Sequence, residues 1–269
     1  REARLCDYTD DENTRLFTKG IGNLVHVNSI SYLNFIRKVM IAAGHVQCND
    51  EREETFALML YYSLFGDRIS RVGVANIYEA LARLKNYPAF VHEVIELVEY
   101  LISCLDTKTF AVGEGMPVSL EQYGCYTREE VFVIFGRQTA ERTMQGSVAG
   151  VFNIEDLNTE LFFVTLNKSD KDFSANTMYN DYVVSEDEFR WESQNSDSHE
   201  GKGRRFVEQR TNGKKFLLFV RENKKDGYGN TSPFICFGLV DYIRSKDDKP
   251  MKINWRMHQR ILPRFLNAV

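Results

Sequence analysis

The spacing of apolar residues changes character once along this 269-residue chain, and that change limits the folds open to it. Up to about Leu105 the repeat is helical. Ser29 is placed to cap a helix running through Ala43 and ended by Gly44. Residues 51–65 open with acids at the positive end of a second helix and stop at Gly66. Two more are expected at 74–85 and 88–104. In the last, Val91, Val94, Ile95, Val98, Leu101 and Ile102 recur every three or four residues, with Glu93, Glu96 and Glu99 on the other side. Gly, Pro and Thr then gather in 106–126 as in a linker, and Thr127 with Glu130 gives a capping-box start to a short helix through Phe135. From Ser147 onward the repeat is that of strands, predicted at 147–153, 160–167, 182–185, 189–194, 204–209, 214–222, 233–243 and 250–257. Asn212-Gly213 between two of them is a two-residue hairpin signal. Many strands joined by short turns argue for a barrel or sandwich. The expected fold class is therefore α+β, with a helical bundle or connector over 1–108 and a mainly β domain over 109–269.

At 43% hydrophobic and 13% aromatic residues the chain is globular rather than disordered. Its charge is unevenly spread. Residues 151–200 carry 3 Lys and Arg against 12 Asp and Glu, a balance of −9, whereas 201–269 carry 16 against 6, a balance of +10. A local basic surface matters more to a polyanion than net charge does; the other reading pairs the two halves within one fold. Cys6, Cys48, Cys104, Cys125 and Cys236 are widely spaced, with no C-x-x-C, so neither a disulfide framework nor a zinc site is expected. A reducing cytoplasm fits that usage. No apolar run reaches the ~18 residues of a membrane span, and the polar start has no signal-peptide core, so no membrane partner is expected. Lacking an initiator Met, the chain reads as a piece of a longer protein.

The stretch Asn176–Gln194 is the densest in chemistry. It gathers Tyr179, Asp181, Tyr182, Phe189 and Trp191 around the acidic turn Glu186-Asp187-Glu188, whose flanks read as a hairpin that brings Asp181 near Trp191. A carboxylate beside aromatic faces suits a planar, hydrogen-bonding ring such as a flipped nucleobase. The competing reading is that Phe189 and Trp191 alternate into a β core while Asp181 caps a turn. His26, His45 and His92 lack any ligand spacing and read as ordinary surface or core histidines. No H-x-K and no G-x-x-x-x-G-K-[ST] occurs. A competing enzyme reading takes Glu222-Asn-Lys224, or Glu200-Gly-Lys202, as the E-x-K half of a metal-dependent nuclease. A third takes the helical part as a protein-interaction module.

Five stretches carry a family resemblance: LFFVTLNKSDKDFS (161–174), TMYNDYVVS (177–185), FRWESQ (189–194), FLLFVRENKKDGYG (216–229) and INWRM (253–257). From about Tyr126 to Met257 the chain resembles the C-terminal domain of bacterial proteins that join a phospholipase-D-like nuclease to a DEAD-box helicase. These are the SauUSI-like, type IV, modification-dependent restriction endonucleases. The resemblance implies an SRA/PUA-like barrel that flips and reads 5-methylcytosine, with 5-hydroxymethylcytosine as a second candidate base. It implies that Asp181 accepts from the cytosine N4 amino group, that Tyr179 or Tyr182 stacks on one face and Trp191 on the other, and that Ser193 and Gln194 make lesser contacts. Lys168, Lys171, Lys202, Arg204 and Arg205 would follow the DNA backbone. The sequence departs from eukaryotic readers in lacking a Gly-rich stretch after the acidic residue. The expected partners are methylated double-stranded DNA and the helicase and nuclease domains of the same parent chain. This piece is then not itself an enzyme and takes no cofactor, ATP and Mg²⁺ being used by the parent.

Overall fold

In the computed structural model, residues 11–113, 115–144, 150–167 and 181–266 are described. Contacts divide the chain into two compact units, Arg1–Ala111 with Met116–Gly146, and Val112–Gly115 with Ser147–Val269. Residues 116–146 thus group with the helical unit, whereas the sequence reading placed a boundary after residue 108.

The first unit is built from α1 (Ile30–Ile41), α2 (Glu51–Phe65), α3 (Ile77–Ala82), α4 (Pro88–Ser103) and α5 (Arg128–Ile134), with shorter helical turns between them. Each start has a local cause. The side chains of Ser29, Asp50 and Asn76 accept from backbone N–H groups three residues on, satisfying donors that a helix leaves open. Gly66, at φ 73°, ends α2 in the left-handed conformation that costs a residue without Cβ least. The helix expected over 74–85 is shorter: Gly73 closes a preceding turn, Asn76 restarts the helix as α3, and residues 83–86 tighten into a 3₁₀ turn. α1 packs on α4, and α2 on α3 and α5. Leu33, Ile36, Met59, Leu60, Phe90, Val94 and Val98 form the interior. The Thr127–Glu130 capping box is present, and Glu130 also meets His26 at 2.7 Å in a buried ion pair.

The second unit is a mixed sheet of β1 (Val151–Ile154), β2 (Thr159–Asn167), β3 (Tyr182–Val183), β4 (Glu188–Glu192), β5 (Lys215–Asn223), β6 (Phe234–Lys246) and β7 (Lys252–Met257). They run side by side in the order β1-β2-β5-β6-β7-β4-β3. β2 and β5 are parallel, with Thr159 opposite Lys215 and Val164 opposite Val220; the other neighbours in this order are antiparallel. No closed barrel forms among the described residues, because closure would need β1 to pair with β3 and each has one neighbour in that order. The expected strand at 204–209 is instead a pair of short helices, α6 (Arg204–Val207) and α7 (Gln209–Asn212). Asn212-Gly213 therefore ends a helix, with Gly213 at φ 64°, rather than turning a hairpin. One face of the sheet buries Phe162, Phe189, Trp191, Phe216, Trp255 and, from α6, Phe206. Removing each such side chain from water stabilises the unit by about 1.5–3 kcal/mol.

Candidate nucleic-acid interface

β3 and β4 form a hairpin at the edge of the sheet as far as the described residues go, with Tyr182 opposite Arg190 and Val183 opposite Phe189. One step further along that register, Asp181 stands opposite Trp191. Asp181 is buried, and its Oδ1 accepts the backbone N–H of Glu192 at 2.9 Å. The acidic turn is closed by Glu188, whose carbonyl accepts from the N–H groups of Val184 and Ser185. The Asp187 carboxylate accepts the Ser185 hydroxyl at 2.7 Å.

Residues paired across strands share a face of a sheet. On the outer face the pairing sets Tyr182, Arg190, Asn254 and Arg244 in one row across β3, β4, β7 and β6. The next row holds Glu192, Lys252 and Lys246. The Tyr182 ring is 37% exposed, and the Arg190 guanidinium lies 5.8 Å from its centre in a cation–π contact. Arg244 pairs with Glu188 at 2.7 Å and Lys252 with Asp247 at 2.9 Å. Such solvent-facing pairs are worth little and exchange readily for another anion. The Lys252 ammonium holds the Asp247 carboxyl below the usual carboxylate range.

The inner face is different in kind. Trp191 stacks on Phe162 at 4.4 Å between ring centres and meets Phe206 edge-on at 5.4 Å. Its expected role as the second wall of an open base pocket is therefore corrected: the ring belongs to the core, because alternation along β4 turns it inward with Phe189. Ser193 is fully buried. Its N–H donates to the carbonyl of Met251 at 2.9 Å and its Oγ accepts the Met251 N–H at 3.0 Å, which fastens the end of β4 to the start of β7. Gln194 is exposed.

Of the expected backbone contacts, Lys202 is exposed and Arg204 is exposed with a pair to Glu208 at 2.6 Å. Arg205 is committed elsewhere. It meets Glu160 at 2.8 Å and Asp197 at 3.4 Å, and its guanidinium sits 4.0 Å from the centre of the Phe206 ring. Both carboxylates are buried and need a counter-charge, so Arg205 is held by the fold rather than offered to phosphate. Tyr179, Lys168 and Lys171 lie outside the described residues. Arg190 and Arg244 were not singled out from the sequence. Their signal lay in strand alternation, which places both on the solvent side once the register is known.

Glu200 and Glu222, the acids of the two E-x-K candidates, are exposed. Among the described residues no three His, Cys, Asp or Glu side chains stand close enough to hold a metal ion. No helix among them is long and apolar enough to cross a membrane.

The chain is thus an α+β protein whose second unit presents an edge hairpin with a basic, aromatic outer row. Residues 120–268, more than half of the chain, match the family described as Domain of unknown function (DUF3427), and the chain belongs to that family. No curated protein matches it.

Proposed function

We propose that the second unit recognises DNA carrying 5-methylcytosine, as the specificity module of a SauUSI-like, ATP-dependent restriction endonuclease. In this reading the sheet is the counterpart of an SRA/PUA-like reader, and nuclease and helicase activity belong to other parts of the parent protein. The observation that carries it is the edge hairpin. Its inner side holds a carboxylate, Asp181, and its outer side holds a solvent-facing Tyr182–Arg190 pair in a row with Arg244. An edge strand is reachable from both faces. Asp181 supplies an acceptor for the N4 amino group of an extruded base that enters from the inner side of the edge; on the outer side Tyr182 supplies a stacking surface for a neighbouring base, and Arg190, Arg244, Lys246 and Lys252 the contacts to phosphate. Trp191 serves as the floor that fixes β4. Phosphate contacts supply affinity without sequence information, whereas the base pocket supplies discrimination. The family resemblance of the five stretches supports the choice of base, and 5-hydroxymethylcytosine is the nearest competitor.

Fluorescence anisotropy with methylated and unmodified duplexes of one sequence tests this, with and without Mg²⁺. The methylated duplex is expected to bind more tightly, and neither duplex is cut. Tyr182→Ala should cost about 1–3 kcal/mol on methylated DNA, the worth of one base–aromatic stack. Asp181→Ala should cost a similar amount, that of an unpaired buried polar group. Equal affinity for both duplexes overturns the reading, and Mg²⁺-dependent strand scission favours the E-x-K nuclease instead.

A further inference from the structure

We propose that Ser245, His199 and Asp248 form a nucleophile–base–carboxylate chain able to cleave acyl esters. This site does not rest on the DNA reading, although Ser245 adjoins Lys246. Ser245 lies near the end of β6, opposite Ile253 of β7. His199 comes from the segment after β4, and Asp248 from the turn between β6 and β7. The fold brings them together across nearly fifty residues of sequence. Ser245 Oγ is 2.7 Å from His199 Nε2, and His199 Nδ1 is 2.9 Å from Asp248 Oδ1. A fourth group, the hydroxyl of Tyr242, is 2.8 Å from Ser245 Oγ.

The contacts fix which ring nitrogen of His199 faces the carboxylate. The Asp248 carboxyl is held below the usual carboxylate range by two hydrogen bonds from His199, one from its backbone N–H at 2.7 Å and one from the ring. An ionised carboxylate only accepts, so Nδ1 carries a proton toward Asp248, and when the ring is neutral Nε2 presents its lone pair to Ser245. Ser245 must then donate to Nε2, and Tyr242 must donate to Ser245. With the imidazole neutral, the serine hydroxyl points at a base, the arrangement that activates a serine nucleophile. Tethering alone does not require this. The backbone N–H of His199 already fastens its segment to Asp248, and an imidazole 37% exposed gains little stability from two more bonds.

The chemistry balances with water as the only co-reactant. As Ser245 Oγ bonds to the acyl carbon, its proton passes to His199 Nε2 and the carbonyl pair moves onto oxygen. Collapse expels the alkoxide, which takes the proton from His199. Water then attacks the acyl-serine with His199 again as base, releasing the carboxylic acid and restoring Ser245. His199 acts as a catalytic base, and Asp248 is a positioning residue.

The test treats the 269-residue chain with an alkyl fluorophosphonate and locates the adduct by mass spectrometry. One adduct is expected, on Ser245, and none in Ser245→Ala. His199→Gln and His199→Ala should each slow labelling by ~100-fold, the lower end of what a general base contributes. Asp248→Asn keeps an acceptor for the backbone N–H but loses the charge, so labelling should fall while the melting temperature holds, and Asp248→Glu should restore part of the rate. Absence of an adduct on Ser245, or equally fast labelling of folded His199→Gln, overturns the proposal. Equal labelling of Asp248→Asn and the parent removes Asp248 from it.

Discussion

His26 and Glu130 face each other inside the helical unit, and their pairing makes stability depend on pH in a definite direction. Burial by itself lowers the pKa of His26, but the Glu130 carboxylate outweighs burial and leaves it above the ordinary value of 6.5. The folded state therefore holds the proton more tightly than the unfolded chain does. The resulting stabilisation is complete below about pH 6.5 and is lost as pH rises through the raised value. Urea midpoints measured across that range should fall for the parent and stay nearly level for His26→Gln; a parallel fall in both excludes the pair as the cause. Nothing in the sequence announces this partnership. His26 was legible only as an ordinary histidine, and Glu130 only as half of a capping box, because their contact spans more than a hundred residues. Trp191 was ambiguous for the opposite reason: an aromatic in an alternating strand suits a core and a base pocket equally, and only its neighbours Phe162 and Phe206 decide between them.

At the level of elements, helices were readable where a cap and an apolar stripe agree, as at Asp50 to Gly66. The short ones around residues 204–212 were not. Asn-Gly favours positive φ, which serves a hairpin turn and a helix end alike. Phe206 and Gln209 turn inward from these helices, and an inward residue every third position is too brief a pattern to separate from a strand. The seven strands of the second unit lie near the limits read from the sequence, while the two-residue strands Phe110–Ala111, Glu121–Gln122 and Cys125–Tyr126 fall in a stretch that reads as a linker, and no run of residues reveals which strand neighbours which. That is why Arg190 and Arg244, which share the outer row with Tyr182, are not legible in the sequence, while Arg205 stands out in a conspicuously basic run. The two kinds of arginine should separate in a salt titration of DNA binding. Arg190→Ala and Arg244→Ala should each weaken both duplexes and reduce the salt slope by about one. Arg205→Ala should leave the slope unchanged and lower the melting temperature, since Asp197 then loses its cationic partner and Glu160 is left with Lys214 at 3.4 Å. An unchanged slope in the Arg190 and Arg244 variants moves the phosphate contacts to another surface.

At the scale of the molecule the parallel pairing of β2 with β5 has a consequence for time rather than for structure. β6 and β7 meet through a short turn, Lys246 opposite Lys252, and β5 joins β6 through the local segment 224–233. β2 reaches β5 only after the intervening hairpin and helices have been placed, Thr159 opposite Lys215. Contacts close in sequence form early because little chain entropy must be spent before they reward closure, and distant ones form late. Val220→Ala in β5 should therefore slow folding, whereas Val164→Ala, its partner across the parallel pair, should mainly hasten unfolding. Stopped-flow measurements in urea distinguish the two, and a slowed folding limb for Val164→Ala reverses the order. On this account the docking of β2 sets the lifetime of the folded sheet, and a substitution there shortens its half-life while leaving its rate of formation almost untouched.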